Sequence, residues 1–159
     1  DFPIIDDISG NEPWTISLWQ RVDLLENGVG RQGWSVWQGP AGQSSNQLIS
    51  LGVQSGAIES AHWANDFRYS LGAIDFDNWQ HVLLTYDGLN TQRLYLNGEF
   101  VQERFTTQLT ITPGTWYLGS RTGSSEFLRM HIGHFALYDR VLLEEEISFL
   151  YQQTSRRFE

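Results

Sequence analysis

Residues 79–98, WQHVLLTYDGLNTQRLYLNG, constrain the fold more than any other stretch, because two alternating runs and two turn signals follow one another in order. In WQHVLLTYD, Val82, Leu84 and Tyr86 point to one face and His81, Leu83 and Thr85 to the other, the period-two pattern of a strand. Asp87-Gly88 stops that strand. The next run, QRLYLNGEFV, alternates again and breaks at Asn97-Gly98, the dipeptide best able to take the positive φ angles of a two-residue type I′ turn. The segment therefore predicts a β-meander with a tight hairpin at Asn97-Gly98.

Further strands are predicted near residues 14–22, 33–38, 48–53, 57–64, 67–71, 79–87, 93–97, 99–105, 109–112, 115–121 and 129–138. Gly and Ser gather in the joints at 39–46 and 122–125, where an all-β sandwich places its loops. Only the end of the chain reads as helix, over 143–154. Leu143, Ile147, Leu150 and Tyr151 recur at helical spacing, and Glu144, Glu145 and Glu146 complement the N-terminal dipole. That helix is expected to lid one end of the sandwich. The chain reads as a single domain over 1–159, with residues 1–12 a loose N-terminal segment.

Composition excludes several classes. There is no cysteine, hence no disulfide framework and no thiolate metal site. All ten basic residues are arginine, and the net charge of −9 offers no basic track for a phosphate backbone, so nucleic acid is excluded as a partner. Neutral glycans, cationic partners or a divalent ion suit an acidic surface better. No apolar run approaches the ~20 residues that span a bilayer. The chain starts at Asp1 without Met, so it reads as a processed or excised piece, part of a larger protein.

The pattern WxHVxxTYDG followed by LYLNG resembles the core signature of the laminin G-like, concanavalin A-like jelly-roll domains. Upstream, PWTISLWQRV (13–22) is similar to the family's opening FTISLWV strand. Downstream, WYLGSR (116–121) is similar to its LGSR strand, and HIGHFALYDRVLLEEEISFLY (131–151) to its closing IDEVRIYNRALSAEEI segment. The resemblance implies an all-β fold, a two-sheet antiparallel jelly-roll sandwich with a short C-terminal helix. It also implies an extracellular, cell-surface or periplasmic setting. Two departures stand out. Ile132, Gly133, His134 and Phe135 replace the acidic IDEV strand, and Leu143 stands where the family has a Ser helix cap, leaving Asp139 as a substitute cap or a frayed first turn.

Seven tryptophans in one domain are the main functional lead, because indole faces stack on sugar rings as readily as they fill cores. Trp19, Trp79 and Trp116 read as packing residues. Trp34 and Trp37 lie three apart and are expected to face opposite sides of an extended strand, one of them free for a ligand. AHWANDFRYS (61–70) groups Trp63, Asn65, Asp66, Arg68 and Tyr69. Two readings stand for it: a hairpin with Asn65-Asp66 at its tip, or a contact site for a sugar or a protein partner. The candidate ligand-binding residues are thus Trp34, Trp37, Trp63, Asn65, Asp66, Arg68 and Tyr69.

No cofactor is expected unless calcium, which the resemblance makes possible. Asp6 and Asp7 are its candidate ligands, while Asp75 and Asp77 read as a solvated turn. His131 and His134, three apart on a strand, are expected to diverge and could not share a zinc ion without a bulge between them. Enzyme motifs fail. No strand carries the alternating acids that place two carboxylates ~5 Å apart for retaining glycoside hydrolysis. No GxSxG, Walker loop or HExxH occurs either. The sequence therefore predicts a noncatalytic recognition or adhesion module for carbohydrate or a protein partner. The alternative is a structural or accessory subunit docking into a larger assembly.

Overall fold

Alternating sequences close into two antiparallel sheets because each strand has one apolar face to bury. The computed structural model describes residues 8–24, 32–39, 45–63, 65–69 and 74–158. Its strands are β1 (Trp14–Val22), β2 (Gln32–Gln38), β3 (Ile49–Gln54), β4 (Ala57–Ser60), β5 (Phe67–Tyr69), β6 (Trp79–Tyr86), β7 (Thr91–Leu96), β8 (Glu99–Phe105), β9 (Trp116–Leu118) and β10 (Met130–Tyr138). The helix α1 (Glu144–Ser155) follows. Among the described residues the strands form two five-stranded sheets, β10-β1-β6-β7-β8 and β5-β4-β3-β2-β9. The jelly-roll sandwich is what the sequence predicts.

The core lies between the sheets. Ile16, Leu18, Val82 and Leu84 come from one side and Val36, Leu51, Ile58 and Phe67 from the other, all buried. Each such side chain contributes about 1.5–3 kcal/mol on burial. Thr85, Leu83 and His81 point to the opposite face, as alternation requires. Asn97 and Gly98 take φ 50° and 80° between Leu96 and its partner Glu99, the predicted type I′ turn.

Four expectations change. Residues 109–112 form no strand: Ile111 makes only an isolated bridge with Gly10, and the Leu109 N–H donates to the Tyr86 hydroxyl at 3.0 Å. That bridge and the buried Ile8 tie the described part of the N-terminal segment to the body. β4 ends at Ser60, so Asn65 and Asp66 close a six-residue loop, 61–66, and do not tip a tight hairpin. The helix lies across the outer face of the β1-containing sheet instead of lidding an end, with Leu142 and Ile147 on Leu83 and Tyr95. Its cap is neither Asp139 nor frayed: Leu143 is the N-cap, and its N–H donates to Glu146 Oε2 at 2.8 Å.

Candidate functional site

A β-bulge decides where the tryptophans go. In the β2–β3 ladder Trp34 pairs with Gly52 and Val36 with Leu51, leaving Ser35 as the extra residue. The extra residue returns Trp37 to the face that Trp34 occupies, so the expected divergence does not occur. Their rings meet edge to face at 5.1 Å. Both are buried on the outer side of the sheet, 2% exposed each, with Leu48 beneath them and Ala61, Trp63 and Tyr117 alongside. Gly52 is required here: a Cβ would lie 2.4 Å from the Gly33 carbonyl and 2.7 Å from the Trp34 ring. Ser35, turned inward, donates to Gln20 Oε1 at 2.6 Å across the core.

Above this floor two loops close a cleft of about 170 Å³. The β4–β5 loop supplies Ala61, Trp63 and Asp66, and the β9–β10 loop supplies Arg121 and Glu126. The Arg121 guanidinium sits 5.1 Å from the Trp37 ring centre and 5.0 Å from that of Trp63, a double cation–π contact. Glu126 holds it there, accepting from Arg121 Nη1 at 3.2 Å and from Trp34 Nε1 through its other oxygen. Trp63 and Glu126 both have left-handed backbones, φ 51° and 50°. A bulky residue seldom adopts that conformation, which costs about 1–3 kcal/mol and is found at ligand clamps.

The polar wall comes from the sheet. Glu59 on β4 pairs across the ladder with Arg68 on β5, and Arg68 Nη2 donates to Glu59 Oε1 at 3.1 Å and to Gln54 Oε1. Glu59 is 2% exposed, and its Oε2 has no hydrogen-bond partner among the described residues. Burial pushes its carboxyl above the usual range against the opposing pull of Arg68, with Asp66 and Glu126 pushing the same way as burial. Asp66 Oδ1 accepts the His62 N–H at 3.0 Å. His62 anchors this loop from within: Nδ1 donates to the Leu48 carbonyl at 2.8 Å and Nε2 accepts from Gln92 at 2.7 Å. Burial lowers its pKa to about 4, so it is neutral at pH 7.

Of the seven sequence candidates, the cleft gathers Trp34, Trp37, Trp63, Asp66 and Arg68. Asn65 turns away, donating to Asn46 Oδ1 at 3.1 Å and the Thr107 carbonyl at 3.3 Å. Tyr69 packs against the core. Glu59, Arg121 and Glu126 escaped the sequence reading. Glu59 has a signal after the fact, since alternation from Ile58 sends it outward beside Arg68. Arg121 and Glu126 lie in a loop with no periodicity to read.

The metal candidates Asp6 and Asp7 lie outside the described residues. Asp75 braces its own turn, its Oδ1 accepting from Asn78 at 3.0 Å, and Asp77 ties that turn to the segment after β1, its Oδ1 accepting the Leu24 N–H at 3.1 Å. A second bulge, at Gly133, brings His131 and His134 to one face, contrary to their expected divergence. Even so, no three His, Asp or Glu side chains among the described residues converge where a metal ion would sit.

The model of a family described as the concanavalin A-like lectin/glucanases superfamily, of laminin G type, matches residues 2–148. Paraclostridial mosquitocidal protein 1 of Paraclostridium bifermentans is 24% identical over an alignment of 158 positions that covers 87% of this chain and 12% of that protein. The crystal structure of the binding domain of the same protein superposes with a TM-score of 0.66 at 20% identity, over 92% of this chain and 38% of that one. The botulinum neurotoxin serotype D binding domain gives 0.70 at 17% identity, over 91% and 38%. The binding domain of botulinum neurotoxin DC, in complex with rat synaptotagmin II, gives 0.69 at 18%, over 90% and 36%. The chain thus spans a small part of the curated relative and little more than a third of each solved binding domain.

Proposed function

Because the chain belongs to the concanavalin A-like lectin/glucanases superfamily, we propose that it is a noncatalytic recognition module that binds carbohydrate in the cleft behind β2–β5. The observation that carries this reading is the convergence of a partly exposed Trp63 with Arg68, Asp66 and the half-paired Glu59 on one sheet face that no helix covers among the described residues. Holding is favoured over transformation by the pairing of the acids: Glu59 with Arg68, Glu126 with Arg121 and Trp34, and Asp66 with a backbone N–H. No calcium is needed for these contacts, and the proposal includes none. An extracellular or cell-surface setting goes with this reading, supported by the likeness to toxin binding domains. No helix among the described residues is long and apolar enough to cross a membrane.

The test is a glycan array probed with the chain and with Trp63→Ala. The wild type is expected to bind a subset of glycans, with or without calcium, and Trp63→Ala to lose at least tenfold in affinity while remaining folded. A blank array for the wild type would overturn the reading.

A second reading, docking to a protein partner within a larger assembly, rests on a different surface. Phe105, Leu89 and Phe100 are 70%, 65% and 51% exposed along the edge strand β8 and the turn before β7. Synaptotagmin II is a protein ligand of one structural neighbour. Loss of a partner on Phe100→Ala and Phe105→Ala, with Trp63→Ala silent, would favour it.

A further inference from the structure

The cleft discriminates among ligands by charge and by hydrogen-bond direction. Its lining has three carboxylates, Glu59, Asp66 and Glu126, and two guanidiniums, Arg68 and Arg121. An anionic ligand would have to separate an arginine from its acid while facing the other carboxylates. A cationic one would meet an aromatic slot that Arg121 already fills, 5.1 and 5.0 Å from two indoles. The neutral class is what remains.

Size and directionality narrow it further. About 170 Å³ lies below the roughly 300 Å³ at which drug-sized sites begin, so one ring fits and a buried oligomer does not. A carboxylate only accepts hydrogen bonds and a guanidinium only donates them. Glu59 and Arg68 are cross-strand neighbours, so the cleft sets a pure acceptor beside a pure donor. Glu59 Oε2 is buried and, among the described residues, unpartnered, an arrangement that costs free energy until something donates to it. A hydroxyl both donates and accepts. Two adjacent hydroxyls on one ring complete the pair, one donating to Glu59 Oε2 and the next accepting from Arg68, while the part of Trp63 that Arg121 leaves exposed takes the ring's C–H groups.

We propose that the cleft binds a single neutral pyranose residue through two vicinal hydroxyls, read by Glu59 and Arg68 against Trp63. This rests on the carbohydrate reading above and goes beyond it by naming the class and the residues that set specificity.

Ligand-observed NMR on the 159-residue chain tests it with the methyl glycosides of glucose, galactose and mannose, their mono-deoxy analogues, methyl glucuronide and methyl glucosaminide. At least one neutral glycoside is expected to bind. Removing either hydroxyl of its diol should weaken binding tenfold or more, as should Glu59→Gln and Arg68→Gln in protein whose tryptophan fluorescence is unchanged. Phe100→Ala should bind normally. If the glucuronide or the glucosaminide binds as well as the neutral sugars, the neutral class is wrong while the carbohydrate reading survives. If every deoxy analogue binds like its parent, or if neither Glu59→Gln nor Arg68→Gln weakens binding, the diol assignment falls alone. If no glycoside binds and the glycan array is blank, both proposals fall together.

Discussion

The two sheets bury the same kind of side chain between them and differ in what lies on their backs. Behind β10-β1-β6-β7-β8, the chain's own C-terminal segment covers the aromatics. Trp19 stacks on Tyr151 at 5.7 Å and on Phe158 at 4.6 Å, and its Nε1 donates to Thr154 Oγ1 at 2.8 Å. His81 lies beside Trp19 at 5.3 Å, and its Nε2 meets Ser17 Oγ at 2.8 Å. Behind β5-β4-β3-β2-β9 no helix follows among the described residues. There Trp34 and Trp37 are buried under Arg121 and two loops, and Glu59 keeps one oxygen without a hydrogen-bond partner among the described residues. Aromatics packed under the chain's own segment are structural, and the partly exposed Trp63 beside Glu59 is the ring a ligand can reach. The same residue type thus serves stability on one side and recognition on the other.

The largest expected effect tests this division directly. Trp19→Ala should cost about 3–5 kcal/mol, the usual range for a buried tryptophan, and lower the melting temperature by on the order of 10 °C. Trp63→Ala, at a partly exposed ring, should cost about 1 kcal/mol. Thermal unfolding followed by circular dichroism separates them; equal losses would mean that the open face is built for stability too.

Acid should attack the covered face next. Burial holds the His81 imidazole at about 4, with His134 adding to the depression, against an ordinary value of 6.5. Between those values the unfolded chain takes up a proton that the folded chain refuses, so stability is complete above pH 6.5 and falls as the pH drops toward 4. The His81 share is on the order of 3 kcal/mol. His62, also lowered to about 4, adds a second share from the loop that carries Trp63. His81→Phe keeps the ring stack and should flatten the pH dependence of urea unfolding over that window by about half. An unchanged slope would show that His81 is not held neutral.

Legibility in the sequence followed periodicity. β6, the Asn97-Gly98 turn and β7 were readable because alternation and a positive-φ dipeptide are local signals. The bulge at Ser35 was not, since nothing in WSVW announces an extra residue, while at Gly133 the lone strand glycine is a sign of a bulge that does not say where the register slips; one such residue reverses every later side chain. That single slip hid the Trp34–Trp37 contact on which the cleft is built. AHWANDFRYS was legible as a polar and aromatic cluster, yet which side chains face the cleft depends on contacts distant in sequence. Asn65 is drawn off by Asn46 and Thr107, and Tyr69 by the alternation of a three-residue strand.

The smallest effect concerns the helix that covers the first face. Arg140 grips Glu146 with two hydrogen bonds of 2.7 Å, and that contact together with the Leu143 N–H lowers the Glu146 carboxyl to about 2. Both side chains are exposed to solvent, so screening leaves little net stabilisation. Arg140→Ala should lower the melting temperature slightly in dilute buffer and not at all in molar salt. A carboxyl held near 2 contributes stability that is present above its ordinary value and is lost only as the pH falls through about 2. Arg140→Ala should therefore leave the decline between pH 6.5 and 4 intact. If that decline vanished with Arg140, the helix would be held down by its ion pair, and the covered aromatics would not be what distinguishes this face from the open one.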